Sequence, residues 1–87
     1  MAGRLDGRVA IVIGAAQGIG AAISERLSRE GARLVLADRR EDLVAALAKR
    51  LDPPALSFAA DLTRPADMEA LAAFTLDRFG RIDILIQ

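Results

Sequence analysis

Three glycines and two aspartates are the residues of this chain best placed to do chemistry. Gly14, Gly18 and Gly20 punctuate the run Val-Ala-Ile-Val-Ile-Gly-Ala-Ala-Gln-Gly-Ile-Gly at residues 9–20. Glycine permits a tight turn and lets another molecule approach the backbone with no Cβ in between. An apolar run precedes the loop and an amphipathic one follows it, so a strand enters the loop and a helix leaves it. The helix start offers unpaired N–H groups and a positive dipole end, a setting that suits a pyrophosphate. Glycines alone more often mark ordinary turns. Here the strand, the helix and an acid about 20 positions further on sharpen the reading, and Asp38 is that acid. Its carboxylate stands where ribose hydroxyls could donate to it. The competing role is a cap at a strand end or helix start. Asp61 follows a third apolar run, where an aspartate just before a helix is commonly a capping residue.

The rest of the composition closes off other chemistries. There is no Cys, His, Tyr or Trp, and Lys49 is the only lysine. That excludes disulfides, a thiolate nucleophile, a zinc cluster and a Ser-His-Asp triad. Twelve basic and twelve acidic residues cancel, which gives no electrostatic case for nucleic acid or an anionic membrane as partner. No apolar run approaches about 20 residues and the N-terminus lacks a signal-peptide core, so a cytoplasmic location is expected. At 87 residues the chain is one small domain, short for a complete enzyme. A domain of this size buries little more than about 60% of its unfolded surface, so stability without a ligand or partner should be marginal.

The elements that must hold these residues alternate. Residues 8–13 read as a strand, 18–30 as a helix with Ile19, Ala22, Ile23 and Leu27 inward, and Gly31 as its stop. Glu25 and Arg29 are spaced as an i,i+4 pair on the wet face. Arg33 to Asp38 is the second strand. A second helix over 41–51 carries Leu43, Val44, Leu47, Ala48 and Leu51 on one stripe, and Pro53-Pro54 ends it. Ala55 to Ala60 is a third strand, and Thr63 is placed to cap a third helix over 65–79. That helix turns Met68, Leu71, Ala72, Thr75 and Phe79 inward, and Ile82 to Ile86 forms a fourth strand. The order β-α-β-α-β-α-β predicts an α/β fold with a parallel sheet in spatial order 3-2-1-4 and a switch point between strands one and four. Helices one and two should cover one face, and helix three alone the other. Arg4, Arg8, Arg26, Arg29, Arg78 and Arg81 read as a solvated set, as does Lys49. Ser24 and Ser28 read as helix-surface or packing residues, and Asp83 as a solvated or turn-bonded carboxylate.

In this order the residues resemble a known family. Gly14-Ala15-Ala16-Gln17-Gly18-Ile19-Gly20 is similar to the Thr-Gly-x-x-x-Gly-x-Gly loop of the short-chain dehydrogenases/reductases. Asp6-Gly7-Arg8-Val9-Ala10 resembles that family's lead-in, and Asp61-Leu62-Thr63 its adenine-contacting element. Arg81-Ile82-Asp83-Ile84-Leu85-Ile86 resembles the strand leading to Asn-Asn-Ala-Gly. The resemblance implies a Rossmann-like, incomplete doubly wound sheet that binds the adenosine-pyrophosphate part of NAD. It implies Gly14, Gln17, Gly18, Ile19 and Gly20 at the pyrophosphate, the middle two non-glycines through backbone, and Asp38 at the ribose. Asp61 and Leu62 would meet the adenine. An acid at Asp38 repels a 2′-phosphate and Gln17 is neutral, which favours NAD over NADP; Arg39, next to Asp38, points the other way. The family's Ser and Tyr-x-x-x-Lys lie outside these residues, so the chain reads as the N-terminal cofactor half of such an enzyme, inactive in hydride transfer by itself. A stand-alone nucleotide-binding module is the alternative, or a fragment that self-associates through the strand-four edge; relatives of full length are usually homo-oligomers. Two departures stand out: Ile13 replaces the usual threonine, and Gln87 replaces the first Asn. Both losses should weaken the seam between strands one and four.

Overall fold

Alternation of short apolar runs with amphipathic stretches produces the expected order in a computed structural model, which describes residues 3–52 and 55–87. The elements are β1 (Val9–Ile13), α1 (Gly18–Arg29), β2 (Arg33–Asp38), α2 (Glu41–Arg50), β3 (Ala55–Ala59), α3 (Pro65–Phe79) and β4 (Ile84–Ile86). All pairings are parallel and the sheet runs β3-β2-β1-β4, as the element order predicts. Every residue of β1 is buried because both faces are covered, which is why the strand shows no polar alternation. Ala10, Val12, Leu34 and Leu36 meet Val44 and Leu47 of α2 and half-buried Ala21 and Leu27 of α1. On the other face Ile11, Ile13, Val35 and Ala37 meet Leu71 of α3, ringed by Phe58, Met68, Phe74 and Phe79. Among the described residues no helix is long and apolar enough to cross a membrane.

Several local expectations need correction. The inward face of α1 is formed around Ser24 and Ser28, whereas Ile19 is 80% exposed and Ala22 is also exposed. Small residues let the helix backbone approach the sheet, and the Ser24 hydroxyl donates to the Gly20 carbonyl at 2.8 Å, so its burial leaves nothing unpaired. Glu25 pairs with Arg50 of α2 at 3.5 Å instead of with Arg29, and the i,i+4 pair on α1 is Arg26 with Glu30. Leu43 lies on the exposed side of α2, and Val44 and Leu47 are the buried residues of that helix. Thr63 does not cap α3: its N–H and hydroxyl both donate to Asp61, and Arg64 is the N-cap residue. Helix α2 ends at Arg50, and the proline stop at Pro53-Pro54 lies outside the described residues.

β4 begins two residues later than predicted because Asp83 takes over the start of the seam. Its N–H donates to the Val9 carbonyl at 2.9 Å and its Oδ2 accepts the Val9 N–H at 2.8 Å. Arg81 donates to its Oδ1 at 2.7 Å and Arg8 lies 3.6 Å from the same oxygen, so these two arginines are not simply solvated. The Arg81 hydrogen bond, followed by the Val9 N–H, holds the Asp83 carboxyl below the usual aspartate range. From there the strands pair from Ala10↔Ile84 to Val12↔Ile86. The paired register stops one step short of Ile13 and Gln87, the two positions where the family's usual polar residues are replaced. Arg78 also has a partner, its guanidinium lying 5.0 Å from the Phe74 ring centre.

Candidate functional site

The glycine loop, Asp38 and the Asp61 turn meet at the carboxyl ends of β1, β2 and β3. In a parallel sheet all three strands end on the same side, so the topology alone assembles them. The loop has a tethered half and a free half. Gly14 and Ala15 donate their N–H groups to the Ala37 carbonyl at 2.9 and 3.2 Å, and Ala16 donates to Asp38 Oδ2 at 3.2 Å. Beyond them, Gln17 is extended and exposed, and α1 starts with neither a side-chain cap nor an acid in its first turn. Among the described residues its leading N–H groups therefore have no side-chain cap and no acid beside them, whereas α2 and α3 carry Glu41, Asp42 and Asp67 in their first turns.

The loop glycines differ in what they do. Gly14 and Gly18 have φ of +77° and +65°, and a Cβ on either would project into open space. Side chains there would be strained and would stand in front of the loop. Gly20 is different. A Cβ on it would collide with the Gly14 carbonyl and approach Ala15 Cα, so its bare Cα allows α1 to seat against the loop. Exposed Ile19 lies between them on the open side.

Asp38 is 7% exposed. Its Oδ1 accepts the Arg40 N–H at 3.0 Å and the Arg40 Nε–H at 3.3 Å, while Oδ2 holds Ala16. Burial pushes its carboxyl up, but these hydrogen bonds outweigh burial and hold it below the ordinary range. Asp61 uses the same local device, accepting the N–H two residues on through Oδ1 at 3.0 Å, with the Thr63 hydroxyl at 2.7 Å. Those Thr63 bonds, hydroxyl first, depress its carboxyl as well. Among the described residues Asp61 Oδ2 makes no hydrogen bond. Its N–H is held by Asp67 at 2.7 Å, so the turn is fixed from both sides.

Between the two aspartates lies an open cleft of about 340 Å³ lined by Asp38, Arg39, Arg40, Asp61, Leu62 and Thr63. The loop, Asp38, Asp61 and Leu62, expected from the sequence to hold a cofactor, thus fall at one end of the sheet. Leu62 is 40% exposed at the cleft, an apolar surface beside two carboxylates. Ala16 and Arg40 are additions, and Thr63, already named within Asp61-Leu62-Thr63, enters as the partner of Asp61 rather than as a helix cap. The habit of aspartate to bond the N–H two residues on was a legible signal for Arg40 and Thr63, whereas nothing local marks the contact from Ala16 to Asp38.

Chains of known type share this arrangement. Residues 8–87 match the short chain dehydrogenase family. A 1,6-dihydroxycyclohexa-2,4-diene-1-carboxylate dehydrogenase of Pseudomonas putida is 48% identical over 85 residues, covering 95% of this chain and 31% of that enzyme. A sorbitol dehydrogenase of Cereibacter sphaeroides is 43% identical over 83 residues, covering 95% of this chain and 32% of its own length. Among solved structures, a 3-ketoacyl-(acyl-carrier-protein) reductase from Brucella melitensis complexed with NADH superposes with a TM-score of 0.90 at 36% identity, covering 93% of this chain and 33% of that one. A short chain dehydrogenase/reductase from Burkholderia phymatum in complex with NAD gives 0.90 at 33% identity, with 93% and 30% covered. The chain spans about a third of the length of these relatives. With the family matched from the start of β1 to Gln87, this chain belongs to the short-chain dehydrogenases.

Proposed function

We propose that this chain binds the adenosine diphosphate part of NAD and is the cofactor-binding portion of an enzyme that moves hydride between NAD and an alcohol or carbonyl. The observation that carries the reading is the joint placement of a buried, ionised Asp38 and an uncapped α1 on either side of the glycine loop. The residues fit the group. The uncapped N–H groups beyond Gly18 take the pyrophosphate, and the faces of Gly14 and Gly18 are open for it. Asp38 accepts from the ribose, and Asp61 Oδ2 accepts from the adenine amino group, with Leu62 against the ring. Gln17 and Ile19 contribute backbone.

Bound NAD supplies the hydride acceptor, and the chain's own residues bind and orient it. With no tyrosine among the 87 residues, the family's Tyr-x-x-x-Lys proton relay has no counterpart here, so binding without turnover is expected of this chain alone. A carboxylate accepts about four hydrogen bonds, and Asp38 already accepts three. One ribose hydroxyl therefore donates to it directly. Its negative charge disfavours a 2′-phosphate, so NAD is preferred over NADP, although Arg39 lines the same cleft.

Thermal unfolding with and without nucleotide tests this. A ligand at about 100 times its Kd adds about 2.7 kcal/mol, several degrees for a domain of this size. NAD should raise the midpoint, NADP should raise it less, and Asp38→Ala should remove most of the NAD effect. No rise with either nucleotide refutes the reading. A second reading, strand pairing with another chain, is favoured by the unpaired side of β4, where Leu85 is 49% exposed. It predicts concentration-dependent sedimentation that Leu85→Lys abolishes; a monomer at all concentrations removes it.

A further inference from the structure

We infer that Asp38 is a positioning residue for the glycine loop as well as a ribose acceptor, so that its carboxylate sets the pyrophosphate site whether or not a hydroxyl is bound. The inference rests on the cofactor reading above for its effect on binding, but its structural part stands alone. Three consecutive loop amides, those of Gly14, Ala15 and Ala16, all donate to the last two residues of β2. Two of them use the Ala37 carbonyl, which no substitution removes. The third uses a side chain, and that side chain lies at the boundary between the tethered and free halves of the loop. Its other oxygen accepts from Arg40, one residue ahead of α2. Asp38 thus joins the loop to the start of α2 through one buried carboxylate.

This has a consequence for specificity. Replacing Asp38 to admit a 2′-phosphate would also release Ala16 and the Arg40 backbone, loosening the loop that both cofactors need. Asparagine cannot substitute for it, because its one acceptor oxygen is claimed by the two donors of Arg40 and its amide group then opposes the Ala16 N–H.

The test separates the two roles by deleting the ribose hydroxyls from the ligand. Kd for ADP and for 2′,3′-dideoxy-ADP is measured on the wild-type chain and on Asp38→Asn. Amide hydrogen exchange at Ala16 is followed by NMR on the same samples without ligand. The positioning role predicts that Asp38→Asn speeds Ala16 exchange and weakens both nucleotides, each by about tenfold, the scale of one charge-assisted hydrogen bond. Unchanged Ala16 exchange, or a loss of affinity confined to ADP, overturns it. If wild type binds neither nucleotide, the cofactor reading fails and Ala16 exchange alone decides the positioning role. If Asp38→Asn does not fold, a pH titration of the wild-type chain replaces it. The Ala16 amide signal must then move in step with protonation of Asp38, whose charged neighbours are Arg40, Arg39 and Asp61. An Ala16 signal indifferent to that protonation overturns the inference.

Discussion

Gly20→Ala should destabilise this protein although it replaces a helical glycine with the best helix former. Gly20 is the third residue of α1, and its φ is not in the left-handed region. Helix propensity alone would make the change favourable by about 1 kcal/mol. Opposing it, the new Cβ would collide with the Gly14 carbonyl and approach Ala15 Cα to 3.1 Å. Both obstacles are backbone atoms of a loop pinned to β2, so neither can swing aside as a side-chain tip would. Overpacking of a fixed site costs about 1–3 kcal/mol, which outweighs or cancels the propensity gain. Allowing for the rigidity of the loop, a net loss of about 1 kcal/mol is expected, or about 4–8 °C in Tm for a domain of this length. Gly14→Ala is the control, since its φ of +77° costs about 1–2 kcal/mol while its Cβ meets nothing. Circular dichroism melts of the three chains at equal concentration decide the matter. A Gly20→Ala chain that melts higher than wild type would refute the proposed seating of α1 on the loop.

Acid should unfold the chain through its paired carboxylates. Asp38 and Asp83 both have folded pKa values below the ordinary aspartate value of about 3.9, so the folded state binds fewer protons there. Their stabilisation is complete above that value and drains as pH falls through the depressed folded values. Wild type and Asp83→Asn should therefore differ most in urea midpoint at pH 7, and the gap should shrink as pH falls below the ordinary aspartate value; a gap that widens in acid contradicts the assignment. Asp83→Ala at neutral pH should lower the midpoint more than Arg8→Ala, because only the aspartate change orphans the buried Val9 N–H. Leu71→Ala should cost about 2–5 kcal/mol by urea unfolding, since among the described residues α3 alone of the helices covers its face and Leu71 is 1% exposed.

What the sequence disclosed follows from the kind of interaction involved. Apolar runs bounded by glycine and acid gave the strands, their order and both helix layers, because period and composition are local properties. The convergence of the candidate residues was legible for the same reason: parallel strands bring their carboxyl ends together, so a loop after β1 and acids after β2 and β3 must meet. Contacts between distant residues were not legible. Asp83 read as a solvated or turn-bonded carboxylate, which covers its bond from Arg81 but not its partner Val9, 74 positions away, and the partner of Glu25 proved to be Arg50 on another helix. The buried face of α1 was read correctly at Leu27 but misread at Ile19 and Ala22, which hydrophobicity favoured, whereas close approach to the sheet buried Ser24 and Ser28.

The central claim is that the glycine loop and the two aspartates form one nucleotide site, and a ¹H–¹⁵N NMR titration of the chain with ADP tests it most directly. The account predicts saturable shifts concentrated at Gly14, Gln17 to Gly20, Asp38 to Arg40 and Asp61 to Thr63, with the helix C-termini unmoved. Saturable shifts centred elsewhere, or none at millimolar ADP on a folded chain, would contradict it.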